Sequence, residues 1–229
     1  MKNLLTEKEL IWSPIVANNS MNRKRVAVGV NSYEKDINFN PTVFLDTKLS
    51  AQPQVSWLDL CCGEGNALIQ YAQTIATKGL QQHISLIGID LVDAFQSIPP
   101  GVNCVTFQTR SLVNISHTSQ YDLITCVHGL HYIGDKLNVL RSSLQALHPH
   151  GLFTANLDLN NIKIQGDNNH KYLKQLFKDN QIGYNSRTKI LRCEGPRSLH
   201  LPISYLGADD KAGPNYSGQH AVDSYYSLF

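Results

Sequence analysis

The chain has 229 residues, 42% of them hydrophobic, enough for one substantial core and too few for two full domains. Twenty basic against eighteen acidic side chains leave a net charge of +2, so neither nucleic acid nor an anionic membrane surface is the expected partner. Five cysteines without a CxxC pair or zinc-ligand spacing are expected to be reduced, to hold no metal and to belong to a cytoplasmic protein.

The opening, MKNLLTEKEL, has no apolar run of signal-peptide length, and the later apolar runs fall short of a membrane span. Thr6 and Glu9 have the spacing of a capping box, so a short helix is expected there, interrupted near Pro14. MNRKR, residues 21–25, reads as a solvated basic surface. A second helix is expected from Asn40, with Pro41 in its first turn. Residues 1–50 form an N-terminal helical lid segment on this reading, and 51–229 the main domain with an aromatic tail.

From residue 55 short apolar runs alternate with amphipathic stretches. VSWLDL, ISLIGID, NCVTF, YDLITCV and GLFTANL read as five strands. Leu68, Tyr71 or Ala72, and Ile75 recur at helical spacing, as do Leu137, Leu140, Leu144 and Leu147 behind a cap at Asp135. The link QTRSLVNISHTSQ lacks such periodicity, so its crossover reduces to a turn. After residue 160 come a helix over NNHKYLKQLFKDN and two strands, TKILRC and SLHLPISYLG, expected as an antiparallel hairpin. The remaining tail shows no period. Alternating strands and helices predict an α/β, doubly wound Rossmann-like sheet, mostly parallel, with an antiparallel strand near the C-terminus.

WLDLCCGEGNALIQYA joins the first strand to its helix through small residues that let a ligand approach the backbone. A dinucleotide loop of the G-x-G-x-x-G kind is disfavoured, because Leu68 stands where the third glycine belongs. The stretch resembles motif I of the class I S-adenosylmethionine-dependent methyltransferases, D-x-G-x-G-x-G, on Asp59, Cys61, Gly63 and Gly65. Its DLCCG form looks like that of small-molecule, quinone-biosynthesis-like members. LIGIDLV resembles the second-strand motif ending in the ribose-binding carboxylate, Asp90; YDLITCVHGLHYIGD and LQALHPHGLFTANL resemble the later motifs, His150 replacing a glycine. The resemblance covers roughly residues 55 to 160.

It implies S-adenosyl-L-methionine as cofactor, S-adenosyl-L-homocysteine as product, and in-line methyl transfer to oxygen or nitrogen of a small-molecule acceptor. The implied cofactor residues are Tyr33, Asp59, Cys61, Gly63, Glu64, Gly65, Asn66, Asp90, Leu91, Ser111, Leu112 and His128. The family often has an acidic residue near the adenine amino group; here Arg110 and Ser111 occupy that stretch, and Arg110 cannot accept a hydrogen bond. His131 is the candidate general base, since an imidazole titrates near neutrality, and Tyr33, His131, Tyr132 and Tyr216 are candidate acceptor contacts. VHGL stands where base- and glutamine-methylating relatives carry an N-P-P-Y-like motif, which counts against those substrates. Cys61, Arg110 and His150 keep a non-catalytic, cofactor-binding scaffold as the alternative. The pattern specifies neither the acceptor nor an oligomeric state.

Overall fold

The structure, a computed structural model, describes residues 4–17, 24–113 and 119–229. Met21, Asn22 and Arg23 of the basic run, and residues 114–118 of the link after the third strand, lie outside the described residues.

Four helices precede the sheet: α1 (Glu7–Leu10), α2 (Pro14–Ala17), α3 (Tyr33–Asp36) and α4 (Pro41–Ala51). The Glu9 carboxylate accepts both the Thr6 N–H and the Thr6 hydroxyl at 2.8 Å. Pro14 opens α2, where its missing N–H costs nothing. Asn40 caps α4 by accepting from the Thr42 and Val43 N–H groups.

The chain continues through β1 (Val55–Leu60), α5 (Asn66–Thr77), β2 (Ile84–Asp90), β3 (Val105–Thr109) and β4 (Tyr121–Cys126). Then follow α6 (Lys136–Gln145), β5 (Leu147–Asn156), β6 (Ile162–Ile164), α7 (Lys171–Asp179), β7 (Gly183–Asn185), β8 (Ile190–Glu194), β9 (Ile203–Asp209) and β10 (Asp223–Leu228). Seven strands form one sheet in the order β3-β2-β1-β4-β5-β8-β7, in which β8 alone runs against the rest.

Period-two alternation decides what each face of the sheet holds. On β1, Val55 and Trp57 face Leu45 of α4 and Ala67, Leu68, Tyr71 and Ile75 of α5. Leu58 and Leu60 face the other layer, with Leu137, Leu140 and Leu144 of α6 and Leu173 and Phe177 of α7. Burial of each such Leu or Ile contributes about 1.5–3 kcal/mol, so both faces must be covered.

The two C-terminal strands are not the hairpin that their order suggested. β8 pairs antiparallel with β5, Phe153 opposite Cys193, whereas β9 belongs to a second sheet of order β6-β10-β9. Gly195, at φ 73°, followed by Pro196 turns the chain out of the main sheet between them. The aperiodic tail supplies β10, antiparallel to β9 and parallel to β6. The N-terminal segment docks on this second sheet, Leu5 and Ala208 exchanging N–H···O bonds of 2.7 and 2.9 Å.

Candidate active site

Strand order reverses between β1 and β4, and the crevice outside the carboxyl ends at such a point is where doubly wound sheets bind ligands. A cleft lies there, enclosing about 810 Å³ with the solvent at its mouth included. Cys61 and Gly63 line it from the loop after β1, Asp90 and Leu91 from the end of β2, and Arg110, Ser111 and Leu112 from the loop after β3. Gly129 and Tyr132 line it from the turn after β4, a single turn of 3-10 helix over Gly129–Tyr132.

The loop after β1 needs left-handed backbone at Cys61, φ 55°, Gly63, φ 60°, and Gly65, φ 77°. Cysteine at the first of these carries a steric cost that glycine would avoid. Its sulfur is accommodated because Gly129 has no side chain: a Cβ there would stand 2.4 Å from the Cys61 Cβ and 2.8 Å from the sulfurs of both Cys61 and Cys126. The hydrogen bond to Cys126, together with burial, holds the Cys61 thiol well above its usual pKa, so it is a neutral wall of the cleft. Asp90 ties two loops together, Oδ2 accepting the Gly63 N–H at 2.9 Å and Oδ1 the Val92 N–H at 3.1 Å.

Asp59 lies behind this wall. It is fully buried, shares the Trp57 face of β1, and stands in register with Thr125 of β4. Its carboxylate accepts the Thr125 hydroxyl at 2.6 Å and the Tyr33 hydroxyl at 2.7 Å, while the Trp57 indole N–H donates to Thr125 at 2.8 Å. Burial raises the Asp59 pKa to about 7, with the two hydroxyl donors working in the opposite direction. Tyr33 is equally enclosed, its ring edge-on to Trp57. These two residues therefore brace the strand end that carries the loop.

Gly65 caps α5, and a Cβ there would fall 2.2 Å from the Phe107 ring. Its missing side chain serves the packing of β3. Phe107 stacks in turn on Phe95, ring centroids 4.7 Å apart. Glu64 receives the amides of Asn66 and Gln96 at 3.2 and 3.0 Å, joining the loop to the stretch after β2.

The remaining candidates, His128, His131 and Tyr216, form a cluster of rings beyond β4 and β5, outside the lining of the cleft. His128 takes left-handed backbone, φ 56°, and donates its N–H to the Asn156 side chain at 3.1 Å. Its Nε2 lies 3.7 Å from Asp36, which also pairs with Arg25. Burial works to raise the Asp36 pKa, but His128 and Arg25 outweigh it and the net shift is downward. His131, 0% exposed, has its ring centroid 5.8 Å from that of His128 and 5.6 Å from that of Tyr216. Neither ring nitrogen of His131 meets a hydrogen-bond partner among the described residues. Burial first, then His128 and Lys136, lower its pKa to about 3, so the imidazole is neutral across the physiological range. Tyr216 packs on both imidazoles from a turn held by the Pro214–His220 bridge, and burial pushes its hydroxyl up to about 12.

Cys61, Gly63, Asp90, Leu91, Ser111, Leu112 and Tyr132 thus meet at the cleft, His128, His131 and Tyr216 in the ring cluster, and Tyr33 and Asp59 at the strand end that supports the loop. The reading of the sequence did not single out Glu7, Leu10, Ile11 and Val16, which wall the cleft from the N-terminal segment. The capping box located α1, but no local signal says where a helix of four residues docks. Glu7 Oε1 accepts the Asp135 N–H at 2.8 Å, and Gly134 leaves room for it: a Cβ there would lie 2.0 Å away. Behind it Lys136, 1% exposed, donates to the Ile133 and Val222 carbonyls and the Ser224 hydroxyl, and burial lowers its pKa to about 7.

Residues 30–196 match the model of a family described as a methyltransferase domain. Among solved structures, the DszA carbon methyltransferase is 18% identical with a TM-score of 0.42 over 49% of this chain and 32% of its own. YjhP from E. coli is 19% identical, TM-score 0.40, over 62% and 54% of the two chains. The plantazolicin methyltransferase BpumL, in complex with SAH, is 21% identical, TM-score 0.39, over 50% and 43%. The chain thus spans between 32% and 54% of the length of these structures. No curated protein matches it.

Proposed function

Because the chain belongs to the methyltransferase-domain family across residues 30–196, we propose that it is an S-adenosylmethionine-dependent methyltransferase acting on oxygen or nitrogen of a small-molecule acceptor, with S-adenosylhomocysteine as product. The reading rests on one observation: Asp90 and the glycine loop meet on a single apolar-walled cleft at the sheet's switch point. The residues present fit the cofactor. A carboxylate suits a vicinal diol, since each oxygen takes one O–H donor besides the N–H it already accepts, and Leu91, Leu112 and Ile133 suit a flat base.

S-adenosylmethionine bound there supplies a methyl group on a positively charged sulfur. Asp90 holds the ribose hydroxyls, the Cys61–Gly63 loop lets the amino-acid end approach the backbone, and Leu91, Ser111 and Leu112 enclose the base. Within the N-terminal segment, α1 and α2 act as a lid, Leu10, Ile11 and Val16 excluding water from the cleft. Such alignment is worth roughly 7–11 kcal/mol by itself, so no further catalytic constellation is required. The acceptor approaches past Tyr216, the exposed member of the ring cluster that covers His131. His131 awaits it as a neutral imidazole that accepts a hydrogen bond, and then a proton, from an acceptor hydroxyl or amine. Tyr132 joins the cleft to the ring cluster, lining the one and standing edge-on to His131 of the other.

DLCCG supports a small-molecule acceptor of the quinone-biosynthesis-like kind, and the net charge of +2 supports a partner that is neither nucleic acid nor membrane. The five free cysteines support a cytoplasmic setting. Among the described residues no helix is long and apolar enough to cross a membrane.

Calorimetric titration with S-adenosylhomocysteine, with Asp90→Ala as control, tests the reading. Binding that Asp90→Ala weakens tenfold or more is the expected result, followed by transfer of a labelled methyl group to small hydroxyl or amine acceptors. Absence of binding to the wild type would overturn the proposal, and binding without transfer to any acceptor would favour the scaffold alternative.

A further inference from the structure

The cofactor reading leaves the polar edge of the base without a charged partner. Adenine carries an exocyclic amino group that only donates, so a site that selects it must present an acceptor. Arg110 cannot accept, the Ser111 hydroxyl is a neutral acceptor already taking the Val113 N–H at 3.4 Å, and Asp90 already takes the Gly63 and Val92 N–H groups and faces the ribose. Asp90 and Glu7 are the carboxylates among the residues lining the cleft.

Glu7 reaches the cleft from α1, outside the sheet. Around it the cleft is apolar on two sides, with Leu10, Ile11 and Val16 from the N-terminal segment and Leu112, Val113 and Ile133 from the loops after β3 and β4. Two apolar walls with a carboxylate at one edge make a slot for a flat ring bearing an amine. The carboxylate is held in place by the Asp135 N–H and by the gap left at Gly134. A carboxylate has about four acceptor positions, so these contacts leave capacity for a ligand.

We propose that Glu7 accepts the hydrogen bond of the adenine amino group and is the residue by which the cleft selects an adenine over a base bearing a carbonyl. The assignment rests on the cofactor reading above. It also gives the N-terminal segment a part in base recognition, since α1 carries the selecting group.

The test compares S-adenosylhomocysteine with S-inosylhomocysteine, in which a carbonyl oxygen replaces the amine, by calorimetry on the wild type and on Glu7→Gln. Glutamine keeps an oxygen for the Asp135 N–H and presents an N–H₂ donor in place of the second oxygen. A charge-assisted bond of this kind predicts a wild-type preference for the adenine ligand of roughly 10- to 100-fold, which Glu7→Gln should erase or invert. Equal loss of affinity for both ligands, or an unchanged preference, would overturn the assignment while leaving the cofactor reading intact. A wild type that binds S-adenosylhomocysteine without discriminating would do the same. A wild type that binds neither ligand removes the cofactor reading, and this assignment with it.

Discussion

Replacing Asp59 by asparagine should remove the pH dependence that the buried carboxyl imposes on the fold. In the native protein Asp59 keeps its proton up to about pH 7, whereas its ordinary value is 3.8. Between those limits the native state binds more protons than the unfolded chain, so the contribution of Asp59 to stability falls as pH rises. At about 1.36 kcal/mol per pH unit the whole window amounts to roughly 4 kcal/mol, absent below pH 4 and complete above pH 7. Urea unfolding of wild type and Asp59→Asn at pH 5 and pH 8 isolates the effect. Relative to the variant, the wild type should lose about 2–3 kcal/mol between the two pH values. Tyr33→Phe adds a second handle, because its hydroxyl donates to a charged carboxylate at pH 8 and to a neutral carboxyl at pH 5. Its cost should be about 1.5–3 kcal/mol at the higher pH and about 0.5–1.5 at the lower. A wild-type-minus-variant difference that is flat across the range would refute the argument, since Asp59 would then titrate alike in both states.

Lys136 should show the opposite trend: its native pKa near 7 lies below the ordinary 10.5, so stability relative to Lys136→Met should climb from pH 7 to pH 10 and not level off near pH 7. His131, with a native value near 3 against 6.5, should contribute a loss of stability as pH falls through 6 towards 4, absent in His131→Phe, and methyl-transfer rates should show no titration assignable to it between pH 5 and 9. Gly65→Ala places a Cβ 2.2 Å from the Phe107 ring at φ 77° and should cost about 2–4 kcal/mol in urea unfolding. Phe107→Leu should recover part of that cost in the double variant, and strict additivity would show that the ring is not what Gly65 accommodates.

What the sequence made legible was whatever short-range chemistry decides. Asn40 and Asp135 cap their helices because a side-chain oxygen two or three residues before an open N–H needs no distant partner. β4 is buried at every position and β1 at every position but Ser56, the mark of strands covered on both faces. The second sheet was hidden for the converse reason. Ile162–Ile164 is too short to show a period, and β10 is defined by partners some 60 residues earlier in β6 and about 20 in β9. The expected hairpin failed on the same ground, since Cys193 finds its partner at Phe153 and not in the next strand.

The candidate site divides along the same line. The motif residues Asp59, Cys61, Gly63 and Gly65 follow one another at alternate positions, yet of these Cys61 and Gly63 reach the cleft, because the pleat and the turn send the other two elsewhere. Asp59 shares a face with Trp57 and so meets Thr125 and Tyr33, while Gly65 opens α5 against Phe107. A motif fixes the backbone path of the loop, and the path then decides which of its side chains the ligand can touch. The reverse holds for Glu7, which belongs to no motif and becomes a wall of the cleft through the docking of α1 on Gly134 and Asp135. Selectivity at the base is therefore tied to the docked N-terminal segment, whereas retention of the ribose is tied to the sheet. A perturbation that loosens α1 without touching Asp90, such as Gly134→Ala, should accordingly weaken discrimination between bases more than it weakens binding itself.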